Sequence, residues 1–170
     1  MRKSIVLLGL VLGIASWGPA ISAVEPASAS VVPAGKTILT VRGKTAAGAR
    51  MDFDAKALEA LGTAEIRTRT QWHAAPGVWQ GVPLQKVLDK AGARGTQLRV
   101  RALNDYFVVI PMSDVAQFSP ILAWRLDGKD LTVRDRGPLI VIYPYDSQPA
   151  LNVQVYHDRA VWQVRDIEVE

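Results

Sequence analysis

The sequence predicts an α+β fold of mixed, mainly antiparallel sheets with short flanking helices. Predicted strands outnumber predicted helices, and the helices are short and irregularly placed among the strands. The clearest local signal lies at residues 121–133, where two strand-like runs flank Asp127-Gly128, a pair that suits a type I′ hairpin turn. We therefore expect hairpins with small helices beside them.

The first elements are two short strands and a helix. Strands are predicted at residues 38–42 and 51–53, on either side of a turn-prone stretch. Asp54 is a suitable N-cap for the helix that follows, and Gly62 is a suitable stop for it.

The next stretch concentrates polar and aromatic residues. Residues 65–70 alternate with the period of a strand, whereas residues 75–77 and 80–83 are expected to break regular structure. The strand should therefore deliver polar side chains into a loop. Trp72 and Trp79 could wall a pocket there with large apolar faces and an N–H donor each, or they could simply close the end of the core.

The second half of the chain continues the alternation of strands and short helices. A helix is predicted to begin near Pro83 and to end at residues 91–92, and strands at residues 98–102 and 106–110 flank an Asn104-Asp105 turn. A brief helix capped by Ser113 follows, and then the hairpin at residues 121–133. The last predicted elements are a central strand at residues 139–143 and an alternating strand at residues 160–169.

The chain divides into three predicted parts. Residues 1–23 are typical of a secretory signal peptide, residues 24–36 of a flexible leader rich in alanine, serine and proline, and residues 37–170 of a single domain. A membrane anchor is the alternative for residues 1–23, but the apolar run is interrupted by glycines and falls short of the roughly 20 residues a span needs. We expect a periplasmic or secreted protein with no stable membrane anchor after cleavage. Because Arg2-Lys3 is not a twin arginine, the expected route is general secretion.

Charge and cysteine content exclude several classes of function. Removing residues 1–23 takes two cations from the 20 basic residues and none of the 16 acidic ones, which lowers the formal charge from +4 to +2. The remaining basic residues are scattered, so we expect no nucleic-acid partner. The sequence contains no cysteine, which excludes disulfides, thiolate metal ligands and thiol nucleophiles.

Two groups of residues could carry chemistry. His73 and His157 are the only imidazoles, and with an aspartate they could hold a metal or transfer a proton, but the sequence gives no distance between them. We therefore assign no catalytic and no metal-binding residue. Arg134 and Arg136 offer planar forks for a phosphate or carboxylate, and Gly137 would let a ligand approach the backbone. The alternative is a solvated Arg-Asp turn.

A set of spaced segments resembles the oxidoreductase molybdopterin-binding domain of the sulfite oxidase family. These segments are Trp79-Gln80-Gly81-Val82-Pro83-Leu84, Val87-Leu88, Ala102-Leu103-Asn104-Asp105-Tyr106, Ile110-Pro111, Leu122-Ala123, Asp127-Gly128, Leu131, Gly137-Pro138-Leu139, Pro144 and Val161-Trp162. The resemblance covers residues 38–169 and implies the family's molybdopterin-binding fold of mixed sheets. By the same resemblance, a cofactor cleft would be lined by Thr68, Thr70, Trp72, His73, Asp105, Tyr106, Arg134 and Arg136.

The resemblance also shows where this sequence departs from the family. In catalytic members a cysteine before the tryptophan ligates molybdenum, and the matching position here is at or near Thr68, with Thr70 as the alternative. A threonine hydroxyl is hard and neutral, so it replaces a soft thiolate poorly. A pterin cofactor is normally loaded before export, which the general secretory route would not allow.

These departures predict a non-catalytic module rather than an enzyme. We expect it to bind a small anionic or aromatic ligand, or a periplasmic partner protein. No cofactor is expected, and molybdopterin is implied by resemblance only. The alternative is a molybdopterin-dependent oxidoreductase of the sulfite oxidase family with atypical metal ligation.

Overall fold

The structure is a computed structural model that describes residues 35–46, 48 and 50–170. The predicted signal peptide and nearly all of the predicted leader lie outside these residues. Within the described part of the chain, no helix is both long and apolar enough to cross a membrane.

Ten strands, four α-helices and two 3₁₀ turns are found in the described residues. The strands are β1 (Leu39–Gly43), β2 (Met51–Phe53), β3 (Ala64–Thr70), β4 (His73–Pro83), β5 (Gln97–Ala102), β6 (Phe107–Pro111), β7 (Ile121–Leu126), β8 (Lys129–Asp130), β9 (Ile140–Ile142) and β10 (Val164–Val169). The helices are α1 (Ala55–Ala60), α2 (Leu84–Ala91), α3 (Met112–Phe118) and α4 (Gln154–Arg159), and the 3₁₀ turns are Val133–Asp135 and Pro149–Leu151.

The strands form two sheets, and the predicted α+β class is confirmed. The first sheet has the order β2-β1-β10-β5-β6, in which only β1 and β10 pair in parallel. The second has the order β3-β4-β7-β8, with β9 also paired to β7, and all of its pairs are antiparallel. The sheets are therefore mixed but mainly antiparallel.

The second sheet is buried on both faces where β7 and β9 pair. Leu122 and Val141 pack into the main core, which also receives the inner face of the first sheet. Ile121 and Ile140 point the other way, into a smaller cluster around Trp79. This alternation follows from the strand period of two, and it explains why β9 is apolar throughout.

Several turns and caps form as the sequence predicts. The Asp54 carboxylate accepts a hydrogen bond from the Ala57 N–H at 2.7 Å, which caps α1. Gly92 ends α2 in the left-handed conformation. Asp127 and Gly128 both have positive φ, at 49° and 77°, as a type I′ turn requires.

The prediction of a loop after β3 is wrong. Only a short turn follows Thr70, and β4 then runs unbroken from His73 to Pro83. The residues that were expected to break β4 lie instead at two irregularities in its strand register. One is opposite Thr68–Thr70, where Pro76 lies, and the other is at Gln80/Gly81.

Three further expectations need correction. The strand at residues 139–143 is not central, because β9 pairs with β7 alone and adds one isolated bridge from Ile140 to Trp162. Ser113 does not cap a helix, because α3 begins one residue earlier, directly after Pro111. Helix α4 is not predicted at all, since its sequence has no apolar periodicity.

Candidate functional site

The tip of the β3–β4 hairpin, Gln71-Trp72, lies among three cavities. One side of the tip faces the 3₁₀ turn Val133–Asp135, and the other side faces the β5–β6 turn and α4. Trp72 forms part of the wall of two of these cavities, and Gln71 forms part of the wall of two. The hairpin tip is therefore the element that organises the candidate site.

The Arg136 cavity has a volume of about 220 Å³. Its walls are Trp72, His73, Trp79, Leu126, Leu131, Arg134, Asp135 and Arg136. The Arg136 guanidinium carbon lies 5.6 Å from the centroid of the Trp72 ring, a cation–π distance. The structure thus brings these two side chains into one cavity.

The charge of the Arg136 cavity is only partly balanced by the protein. Arg134 and Arg136 make no ion pair with any described residue. The Asp135 carboxylate lies on the same wall, where it accepts a hydrogen bond from the Thr132 hydroxyl at 2.6 Å. Two arginines against one carboxylate leave the cavity with an excess of positive charge.

The backbone holds Arg136 in an unusual conformation. Its φ is 69°, in the left-handed region that costs a side chain about 1 kcal/mol or more. Two hydrogen bonds fix the turn, from Gln163 N–H to the Arg136 carbonyl at 2.9 Å and from Gly137 N–H to the Thr132 carbonyl at 2.7 Å. The turn thus fixes the backbone from which the Arg136 side chain reaches Trp72.

Gly137 does not have the role that the sequence suggested. A Cβ at this position would lie 2.3 Å from the Leu131 carbonyl oxygen. Glycine is therefore required by the close approach of the protein's own backbone, not by that of a ligand.

His73 also lines the Arg136 cavity. Its Nδ1 lies 2.7 Å from the Ala75 carbonyl oxygen. Since that oxygen can only accept, Nδ1 carries the proton and Nε2 is the acceptor in the neutral ring. The ring meets Trp79 edge-on, with 6.2 Å between centroids, which fixes its orientation.

The Tyr106 cavity lies on the other side of Trp72 and has a volume of about 270 Å³. Its walls are Gln71, Trp72, Ala102, Asn104, Tyr106, His157, Asp158, Ala160, Val161 and Trp162. The Asp146 cavity, of about 440 Å³, is lined by Arg69, Thr70, Gln71, Ala74, Tyr145, Asp146, Pro149, Asn152 and His157. Gln71 and His157 separate these two cavities, and the Gln71 amide donates to the His157 carbonyl at 3.5 Å.

Two of the predicted site residues do not line any of these three cavities. Thr68 is fully buried. Asp105 is exposed and points to Arg165, with 2.8 Å between carboxylate and guanidinium. The other predicted residues are divided among the cavities: Trp72, His73, Arg134 and Arg136 line the Arg136 cavity, Tyr106 and Trp72 line the Tyr106 cavity, and Thr70 lines the Asp146 cavity.

Several cavity residues are not found from the sequence. Gln71 adjoins the predicted residues and could have been included on position alone. Asn104 and Trp162 lie in segments that carry the family resemblance, but nothing in the sequence assigns them to a cavity wall, and Asp158 gives no signal at all. The sequence identifies His157 only as an imidazole, and without α4 its location could not be inferred.

The fold is an α+β domain, and the comparison with protein families identifies its type. Residues 47–146 match the family model described as the oxidoreductase molybdopterin binding domain, which is more than half of the chain. The chain therefore belongs to this family, and the predicted resemblance is confirmed.

Among solved structures, the chain is similar to the sulfane dehydrogenase SoxCD from Paracoccus pantotrophus. The TM-score is 0.56 and the sequence identity is 16%, over 77% of this chain and 37% of that one. At this identity the similarity concerns the fold alone. The chain spans well under half of the SoxCD chain. A comparison with curated proteins gives no match.

The residues present do not fit a molybdenum centre with a protein thiolate. The position expected to ligate the metal is at or near Thr68, with Thr70 as the alternative, and the Thr70 hydroxyl accepts a hydrogen bond from Trp72 N–H at 3.3 Å. The Thr68 hydroxyl oxygen accepts a hydrogen bond from Asp146 N–H at 3.0 Å. The same hydroxyl donates to the Arg69 carbonyl at 3.2 Å. Among the described residues, no group of three or more His, Asp or Glu side chains could hold a metal ion. Thr68 thus serves as a structural link.

Proposed function

We propose that this domain is a non-catalytic binding module of the molybdopterin-binding oxidoreductase fold, which acts after export in the periplasm or outside the cell. Its ligand is a small anion, or a planar aromatic compound that carries an acidic group, held in the Arg136 cavity. A loop of a periplasmic partner protein with the same chemistry is the other candidate occupant.

The stacked pair of Trp72 and Arg136 carries this proposal. The indole offers an apolar face, and the two arginines offer donors and positive charge that the protein balances only in part. A volume of about 220 Å³ is smaller than the range of about 300–1,000 Å³ typical of sites for drug-sized ligands. Both the charge and the size favour a small anionic ligand.

The alternative is a molybdopterin-dependent oxidoreductase with atypical metal ligation, and membership of the family is its main support. Elemental analysis of protein purified from its native compartment separates the two functions. We expect molybdenum far below one atom per chain, because Thr68 offers no thiolate and its hydroxyl is already engaged. Stoichiometric molybdenum with an extractable pterin would favour the enzyme instead.

Replacing Arg136 with alanine is expected to abolish ligand binding without unfolding the domain. A thermal-shift screen of small carboxylates, sulfonates and aromatic acids supplies the ligand, and at 100 times its dissociation constant it should stabilise the wild type by about 2.7 kcal/mol. Arg136 is exposed and makes no ion pair with the described residues, so its loss costs little stability.

Trp72→Ala should lower the affinity for the same ligand and also lower the stability of the domain, because the ring packs against both hydrophobic clusters.

Arg67→Ala is the matched control for this experiment. Arg67 is also exposed and without an ion pair to a described residue, but it does not line the Arg136 cavity. The control should keep the full ligand-induced shift. If Arg136→Ala retained it too, the Arg136 cavity would not be the binding site.

A further inference from the structure

The Tyr106 cavity is lined by Trp72, Tyr106 and Trp162, which come from three separate parts of the chain. Trp72 comes from the β3–β4 turn, Tyr106 from the β5–β6 turn and Trp162 from the segment before β10. Tyr106 is 52% exposed and Trp162 is 38% exposed, although both are large and apolar over most of their surface. Two exposed aromatic residues in one concave site are typical of a binding surface.

Hydrogen bonds hold together the two segments that carry Tyr106 and Trp162. The Leu103 N–H in the β5–β6 turn donates to the Gln163 carbonyl, beside Trp162, at 2.9 Å. The Tyr106 N–H donates to the Asn104 side-chain oxygen at 3.2 Å. The segments that carry Tyr106 and Trp162 are therefore held together before any ligand arrives, which reduces the entropy cost of binding.

The charged wall residue of this cavity is an acid. Asp158 lines the cavity, and its carboxylate accepts one hydrogen bond, from the Gln154 amide at 2.6 Å. No lysine or arginine is among the cavity-lining residues in the described part of the chain. His157 is also on the wall, with Nε2 3.1 Å from the Asn152 side-chain oxygen, and Arg136 lies against Trp72 but lines the other cavity.

Aromatic faces and a carboxylate together attract cations. The π face of tryptophan or tyrosine carries negative potential, and a weakly hydrated cation gains from it without losing a tight water shell. A bare metal ion would need several oxygen ligands, and the described residues provide no such group. We propose that the Tyr106 cavity is a second binding site, which takes a small organic cation of the quaternary ammonium type.

Choline and its neutral isostere 3,3-dimethyl-1-butanol test this proposal, because the two probes have nearly the same shape and differ in charge. Binding to the full chain is measured by titration calorimetry and by the indole N–H signals in NMR spectra. We expect choline to bind roughly tenfold more tightly than the isostere, the effect of about one well-placed cation–π contact. Equal affinities for the two probes, or no saturable binding of choline, would overturn the proposal.

Substitutions on the wall locate the site. Trp162→Ala and Tyr106→Ala should each weaken choline binding by roughly tenfold, and Asp158→Asn by roughly threefold, since an exposed charge is screened. Phe107→Ala is the matched control, because Phe107 is 46% exposed but stacks on Arg99 outside the cavity. All four side chains are exposed, so each variant should fold, and its melting temperature verifies this. An equal loss in Phe107→Ala would mean that choline binds elsewhere.

Discussion

Replacing Gly81 with alanine is expected to lower the free energy of unfolding by about 3 kcal/mol, near the upper end for overpacking. A Cβ at this position would lie 2.0 Å from the Leu122 carbonyl oxygen and 2.5 Å from the Ala123 Cα. Both are backbone atoms of β7, so no side chain can rotate away to relieve the clash. The β4–β7 pairing would have to open, and β4 begins at the hairpin tip that organises the site.

Gly128→Ala is the control for Gly81→Ala. Gly128 has a φ of 77°, but no atom lies within 4 Å of the point that an added Cβ would occupy. Its replacement should therefore cost only the left-handed backbone conformation, about 1 kcal/mol. Urea unfolding of both variants measures the difference. Equal losses would mean that the close approach of β4 and β7 relaxes at little cost.

Arg159→Ala is expected to destabilise the domain by about 3 kcal/mol, because it leaves a buried carboxylate without its counter-ion. The Arg159 guanidinium lies 2.6 Å from the Asp114 carboxylate, and the two side chains are only 20% and 7% exposed. The Tyr143 hydroxyl donates to the same carboxylate at 3.3 Å. Burial, and then the nearby Asp114 charge, raise the pKa of Tyr143 far above its usual value. Tyr143 thus remains a neutral donor and cannot replace the lost cation.

The ion pair of Arg69 with Asp146 provides the comparison for Arg159→Ala. Its atoms are 3.1 Å apart, but the Arg69 side chain is 62% exposed. Solvent screening limits such a pair to about 0–1 kcal/mol, so Arg69→Ala should hardly change the unfolding midpoint. Similar losses of unfolding free energy in the two variants would contradict the argument that burial strengthens the Arg159–Asp114 pair.

Arg159 also anchors α4, so its replacement should disturb the adjacent His157 and Asp158.

Local signals in the sequence predicted those elements whose ends depend on a few neighbouring residues. Asp54 caps α1, Gly92 ends α2, and Asp127-Gly128 closes a hairpin, all through short-range hydrogen bonds or backbone conformation. The unbroken β4 strand was not predicted. Gly81 lies within this strand because the backbone of β7, which is distant in the sequence, leaves no room there for a side chain. Tertiary packing of this kind leaves no trace in a local pattern.

The candidate site was predictable only where the family resemblance supplied long-range information. No local pattern relates Trp72 to Arg136, yet in the structure the Arg136 guanidinium carbon lies 5.6 Å from the centroid of the Trp72 ring. Trp162 belongs to one of the segments that carry the resemblance, but a single tryptophan beside a strand gives no sign that it faces a cavity. Thr68 was predicted from its position relative to Trp72, and only the structure reveals that its side chain is enclosed.

The hydrogen bond between Asp146 and Thr68 bears on what a metal ligand at this position would disturb. It joins β3 to a segment 78 residues further along the chain. Replacing Thr68 with cysteine would exchange a good acceptor for sulfur, a weak one, and would leave the Asp146 N–H poorly satisfied. The new thiol would also be enclosed, since Thr68 has no exposed surface. Building a thiolate ligand into this position would thus require a coordinated rearrangement of the Asp146 segment as well as the single substitution.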